Sequence, residues 1–368
     1  LGDEDGHEPE PAGVEYTSEE REVLSFLAAS KRVDLRWLSE EEKEKIRRVL
    51  DGLHNGKKVS LLQISKEVGR SYFAIWGLCR SLEIPTRTVA EAQSNSAEAR
   101  SKHRRRPFDG TEEDRAYTTG FKNGDLTAWQ VSGTAVMVTS TTTHPAFASL
   151  FSDLFDRYGK VYQYPMLDGE RGYKWRVAVR LDNSFRFLLS ESEEALSRYA
   201  ASRSLFARWL AGLFDADGHI NVGRYDGFAR VRLDIGSINE RLLASLKKAL
   251  ETLGYFPSGL HRPYEAGFTT PQGITYRHDM WRLDVQRTED AIGLLKELPN
   301  RHWEKVQKKR VAISMTKDNW DTTEAALLSL KREIRAGVAE FRERARIEYE
   351  IKKQKKTSRP SKGGSPQA

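Results

Sequence analysis

Between about residues 111 and 313 the chain passes through one pattern twice, and a duplication of that size dictates a paired architecture. The first copy opens with TTGFKNGD at 118–125 and continues with a Thr/Val-rich strand pair through Thr143. A helix from Pro145 to Tyr158 follows, then a strand pair ending in YKWRVAVRL at 173–181. The second copy opens with LAGLFDAD at 210–217. It continues with strands through Ile235, a helix from Asn239 to Leu253 and a strand pair ending in MWRLDVQR at 280–287. Gly120 matches Gly212, Asp125 matches Asp217, Gly159 matches Gly254, and Trp175-Arg176 matches Trp281-Arg282. The glycine anchors are 39 residues apart in one copy and 42 in the other, a difference that loops absorb. Each copy therefore reads α-β-β-α-β-β-α, an α+β fold, with FRFLLS at 185–190 and EDAIGLLKEL at 289–298 opening the closing helices. Alternation such as Arg176/Ala178/Arg180 against Trp175/Val177/Val179/Leu181 buries one sheet face and leaves the other, cationic, in water. Two such sheets side by side make a long saddle.

The first segment of each copy raises a problem of charge. Leu210, Leu213 and Phe214 give the second copy's helix an apolar surface, and Gly212 and Ala216 stand four apart on one side; Gly120 and Gly124 do the same in the first copy. Small residues at that spacing let two helices approach closely, which brings Asp125 and Asp217 together at their ends. A helix C-terminus carries partial negative charge, and two adjacent carboxylates repel further. A hard divalent cation resolves both problems. Mg²⁺ accepts carboxylate, carbonyl and water oxygens, so Asp125 and Asp217, helped by the carbonyls of Gly124 and Ala216, are the expected ligands, with Mn²⁺ able to substitute. The chemistry expected of such a centre is metal-assisted attack of water on phosphorus. As a calcium loop, 215–221 lacks the glycine and acid needed further along. An ordinary helix stop explains one DADG but not an acid at the same offset in both copies. His144 and His219 read as helix-boundary or polar residues, since no further ligands cluster with them.

The remainder of the chain has different compositions. Residues 1–22 hold nine acidic groups against Arg21, and 1–14 read as a disordered acidic N-terminus. A helical domain is expected over 15–89. It includes a helix at 39–54 and, in KVSLLQISKEVGRSYFAIWGLCRSLEIPTR at 58–87, two short helices separated by Gly69-Arg70-Ser71. That segment resembles a helix-turn-helix unit; Ser71 is the expected cap of its second helix, and Arg70, Ser71, Tyr72 and Trp76 are the candidate reading face. A basic linker is expected over 90–110, the two copies over 111–200 and 201–320, a charged C-terminal helix over 321–350 packed on the core, and a basic disordered tail over 351–368. The formal charge of +7 across 368 residues favours a polyanionic partner, while SKHRRR and IKKQKKTSRPSK offer only non-specific phosphate attraction. A single cysteine, Cys79, excludes an internal disulfide and a multi-thiolate zinc site. With no apolar run of membrane length and no export signal in LGDEDGHEPEPAG, the expected location is the cytoplasm and no membrane contact is expected.

Residues 210–218, Leu-Ala-Gly-Leu-Phe-Asp-Ala-Asp-Gly, resemble the LAGLIDADG homing endonuclease family in its single-chain, two-repeat form. Residues 118–126 are a degenerate second match that keeps the central glycine and the penultimate acid but has Asn123 for the first acid and Leu126 for the last glycine. The resemblance implies a monomer cutting both strands of duplex DNA with Mg²⁺ across the minor groove, its sheets lying in the major groove of a long, pseudo-palindromic target. It also implies that Asp125 and Asp217 are the metal-binding acids and that Lys305, in LPNRHWEKVQKKR at 298–310, is the accompanying basic residue that polarises water or steadies the phosphate, with Lys308 or Lys309 as neighbours. The first copy has no comparable lysine after Leu189. Base contacts would fall to Gln130, Thr139, Arg176, Arg180, Arg224, Arg230, Arg232, Arg282 and Gln286. Two other functions share this scaffold: a DNA-binding transcription regulator that does not cleave, and an RNA maturase that assists intron splicing. An intein origin is disfavoured by the initial Leu1 and by the ending SKGGSPQA.

Overall fold

The computed structural model describes residues 15–30, 33–86, 103–169, 172–225, 228–271, 273, 275–316 and 319–357. Two compact units divide the chain between Arg104 and Arg105. The expected acidic N-terminus, most of the expected linker and the end of the expected tail lie outside the described residues.

The first unit is helical: α1 (Ser18–Ala29), α2 (Glu40–Asp51), α3 (Leu61–Glu67) and α4 (Tyr72–Ser81). Thr17 with Glu20 and Ser39 with Glu42 form reciprocal capping boxes, which satisfy orphan N–H groups at the starts of α1 and α2. Leu27, Leu50, Leu53, Ile64, Ile75 and Cys79 lie at the centre of its core. Gly69 takes φ +63° between α3 and α4, a conformation costly for any residue with a Cβ. Ser71 accepts the Ala74 amide as the α4 cap.

The second unit is a mixed α/β fold with two four-stranded antiparallel sheets flanked by helices. In chain order it contains α5 (Glu112–Asp125), β1 (Thr127–Ser132), β2 (Ala135–Thr142), α6 (Pro145–Phe155), β3 (Val161–Leu167), β4 (Tyr173–Asp182), a 3-10 segment (Asn183–Leu189) and α7 (Ser192–Ala200). Next come α8 (Arg203–Asp217), β5 (Gly218–Tyr225), β6 (Phe228–Ser237), α9 (Glu240–Thr252), β7 (His261–Tyr264), β8 (Met280–Val285), α10 (Thr288–Glu297), α11 (Trp303–Ser314) and α12 (Trp320–Thr357). The sheets run β1-β2-β4-β3 and β5-β6-β8-β7, the same order in each. One continuous core holds both sheets and the α5/α8 pair.

α12 corrects the expected tail, because the helix continues past residue 350 to Thr357. Its middle covers the core face of the first sheet. Trp175 Nε1 donates to the Phe341 carbonyl at 2.8 Å, and Phe341 and Ala345 join the core.

Candidate functional site

α5 and α8 meet backbone to backbone. A Cβ on Gly120 would fall 1.8 Å from the Trp209 carbonyl oxygen, and one on Gly212 would fall 2.0 Å from that of Tyr117. No side chain fits at either position, so the small-residue spacing is a steric requirement of the pair. One turn further on, a Cβ on Gly124 would lie 2.4 Å from the Ala216 Cβ and 3.0 Å from Asp217 Oδ2. Asp125 and Asp217 are the last residues of their helices, and both stand at this seam.

The seam is electrostatically loaded. Loss of solvent and the neighbouring Asp125 charge push the Asp217 carboxyl up to about 8, against the pull of Lys305. Loss of solvent raises Asp125 as well, and Lys305 again opposes it. Asp125 is accessible to solvent and Asp217 is half-buried. Access and desolvation coexist because protein fills most of the space around groups that reach water only at the seam's mouth. Lys305, on the first turn of α11, is buried and donates to the Gly218 carbonyl. Burial depresses its ammonium, while Glu304, Asp215 and Asp217 sustain it. Lys308 instead pairs with Glu304 at 2.7 Å, and Lys309 donates to the Leu298 carbonyl.

Asp215 has a separate task that sequence reasoning missed. Two positions apart on a helix is about 200° of rotation, so Asp215 and Asp217 point to opposite sides. Asp215 is 1% exposed. It accepts from Tyr117 Oη at 2.5 Å, Asn300 Nδ2 at 2.8 Å, the Arg301 amide at 2.6 Å and the His302 amide at 3.1 Å. Burial pushes its carboxyl up, and these four donors resist. The local signal for this role lies in PNRH before α11, a helix start without a capping side chain of its own. In the first copy Asn123 stands at the matching position, and neither its Oδ1 nor its Nδ2 finds a protein partner.

Among the described residues, no three His, Cys, Asp or Glu side chains form a ready-made metal site. The two seam carboxylates are a hard oxygen pair suited to Mg²⁺ or Mn²⁺, but other oxygens would have to complete the shell. His144 is at the N-cap of α6 with Nε2 2.8 Å from Glu304, and His219 is exposed beside Gly218.

Register decides which of the expected base-reading residues face solvent, since directly opposed residues share a sheet face. Arg180 opposes Met137 and is exposed; Arg176 opposes Thr141. Arg230 opposes Gly223, Arg232 opposes Asn221, and Arg282 opposes Gly236, all on the face of Asp234 and Asp284. Tyr162, Tyr164 and Trp129 add exposed aromatic rings to the first sheet's outer face. Gln286 is exposed just beyond the end of β8. Arg232 stacks 4.1 Å over the Tyr225 ring, and Arg282 Nε is 3.8 Å from Asp234.

Four expectations need correction. Gln130 opposes the fully buried Val136 and so belongs to the core side of its edge strand, where Nε2 donates to the Ala135 carbonyl and to Asn183 Oδ1. Arg224 opposes Ala229, on the face of Val222 and Val231, rather than the outer face. Thr139 is on the outer face but buried, with its hydroxyl donating to the Val177 carbonyl and accepting from Arg176 Nε. In the first unit, Arg70 is consumed by the Leu27 and Ser30 carbonyls at the end of α1, leaving Ser71, Tyr72 and Trp76 as the exposed part of the proposed reading face.

Comparison with known proteins agrees with the motif. Residues 205–289 match the LAGLIDADG-like domain family. Similar solved structures include mesophilic variants of the homing endonuclease I-DmoI, 18% identical, covering 52% of this chain and 91% of that one at TM-score 0.35. I-DmoI in complex with DNA and Mn is also 18% identical, covering 52% and 98% at TM-score 0.34. Full-length DUF199/WhiA from Thermatoga maritima is 16% identical, covering 61% and 69% at TM-score 0.37. No curated protein matches the chain. The matched stretch, Leu205 to Glu289, spans the helix that carries Asp215 and Asp217 and most of the second sheet, and over it the chain is similar to LAGLIDADG-like domains.

Proposed function

We propose that the chain is a duplex-DNA-binding protein that lays the outer faces of its two sheets along a long target. The observation that carries this reading is the pairing, on those faces, of cationic with aromatic side chains: Arg176, Arg180, Tyr162 and Tyr164 on one sheet, Arg230, Arg232, Arg282 and Tyr225 on the other. Arginines so placed address phosphates and base edges. Binding without cleavage, as a regulator, is favoured by the first copy, which lacks a lysine like Lys305 and the acid at Asn123.

A second reading, hydrolysis of the bound duplex, is favoured by one observation: two carboxylates held together at a cost that binding alone does not explain. Asp125 and Asp217 would hold Mg²⁺ or Mn²⁺, and the ion when bound would offset charge at the reacting phosphate. The chain's own part is to hold the two acids at the seam and to place the Lys305 ammonium beside them.

Selection from a randomised duplex library, with and without Mg²⁺, separates the readings when the parent is compared with Asp125→Asn and Asp217→Asn. Salt-sensitive duplex binding by all three is expected. Mg²⁺-dependent cutting by the parent alone would establish the nuclease, and binding without cutting the regulator. Preference for folded RNA over duplex DNA would overturn the proposal in favour of the maturase.

A further inference from the structure

We infer that Asp215 is a positioning residue that caps α11 from another helix and thereby holds Lys305 against the Gly218 carbonyl, beside the seam carboxylates. The inference deepens the hydrolytic reading and rests on it for its function, though not for its geometry. His302, at the N-cap of α11, makes no side-chain cap of its own, so the helix start would leave amides unsatisfied. Asp215 supplies that cap in trans, accepting the Arg301 and His302 amides while Asn300 Nδ2 closes on its other oxygen. Negative charge at this place also complements the positive end of the helix.

The strut reaches a third element through Tyr117 of α5, whose hydroxyl donates to the same carboxylate. Arg301 ties the turn to α5 a second time, donating to Asp114 at 2.8 Å with its guanidinium 4.5 Å over the Tyr117 ring. Lys305 follows one turn along the capped helix, where its ammonium meets the Gly218 carbonyl. The helix start and the lysine therefore share one anchor.

The first copy shows what the arrangement looks like when the carboxylate is missing. Asn123 stands where Asp215 would be and Trp209 where Tyr117 would be. The Asn123 side chain and Trp209 Nε1 are both buried with no protein partner. α7, the helix that closes the first copy, has Glu191 at its N-cap, no side-chain cap and no lysine in its sequence. The seam is thus built from one side, by one strut and one cation.

The test follows the Lys305 ammonium by ¹H–¹⁵N NMR in the full chain, with the signal assigned by its loss in Lys305→Met. In Asp215→Asn, which keeps the shape and removes the charge, this signal is expected to shift or broaden at fixed pH, because the ammonium loses its fixed place against the Gly218 carbonyl. Duplex binding without metal should be unchanged, and any Mg²⁺-dependent cutting should fall about tenfold to hundredfold, as for a supporting partner. Should Asp215→Asn not fold, Asn300→Ala removes one donor and leaves the carboxylate, and a smaller shift of the same signal is expected. A Lys305 signal unmoved in a folded Asp215→Asn protein, or in Asn300→Ala where that is the variant available, overturns the inference. A parent that binds but never cuts would remove the hydrolytic reading while the NMR result still decides the strut.

Discussion

Gly120 lies so close to Trp209 that a methyl group on it would come within 1.8 Å of the Trp209 carbonyl oxygen. The obstacle is backbone, which cannot rotate away as a side chain would. Gly120→Ala, and likewise Gly212→Ala against the Tyr117 carbonyl at 2.0 Å, should destabilise the second unit by about 3 kcal/mol, at the upper end of overpacking costs. Urea unfolding of each variant provides the measurement; a cost below about 1 kcal/mol would mean that the helices separate freely.

Protonation should stabilise the metal-free seam. The Asp217 carboxyl is raised in the folded state, to about 8, so its contribution is fully present below the unfolded value near 4 and is lost as pH rises through about 8. Asp217→Asn should therefore gain on the parent as pH rises, with Tm higher by about 5 °C at pH 8 and nearly equal at pH 4. Differential scanning calorimetry across that range decides the matter. A gain that is the same at both ends would show that Asp217 titrates normally.

Arg70 should matter for stability rather than for DNA. Its guanidinium holds two carbonyls at the end of α1, so Arg70→Ala should cost the first unit about 1–3 kcal/mol. Duplex affinity should be unaltered by that substitution. A weakened complex with unchanged unfolding would return Arg70 to the reading face.

Arg180 offers the cleanest probe of the sheet surface, being exposed with a long 3.5 Å contact to Ser132. If it meets a phosphate, Arg180→Ala should weaken binding to all sequences alike and reduce the salt slope by about one. If it meets a base, discrimination at one position should fall instead. Titrations at several salt concentrations distinguish these outcomes, and no change in either would take Arg180 out of the interface.

What could be read from the chain before folding followed from local periodicity. Gly120, Gly124, Gly212 and Ala216 share one helical offset, and that offset brings Asp125 and Asp217 to the seam. Where reading failed, the deciding partner was distant. Asp215 is satisfied by a turn 85 to 87 positions further along, and Arg70 by carbonyls 40 and 43 positions earlier. Gln130 and Arg224 failed for another reason. At the ends of edge strands, polar residues occur on both faces, so alternation alone does not assign the side; only the register against Val136 and Ala229 does.

The placement of α12 bears on how the chain comes to be made. Trp175, in the first sheet, is sealed by Phe341, which is synthesised 166 residues later. The earlier repeat thus leaves the ribosome with an unclosed hydrophobic surface and must wait for the last helix to arrive. A transcript cut short before that helix would yield a sticky, unfinished half rather than a smaller working protein.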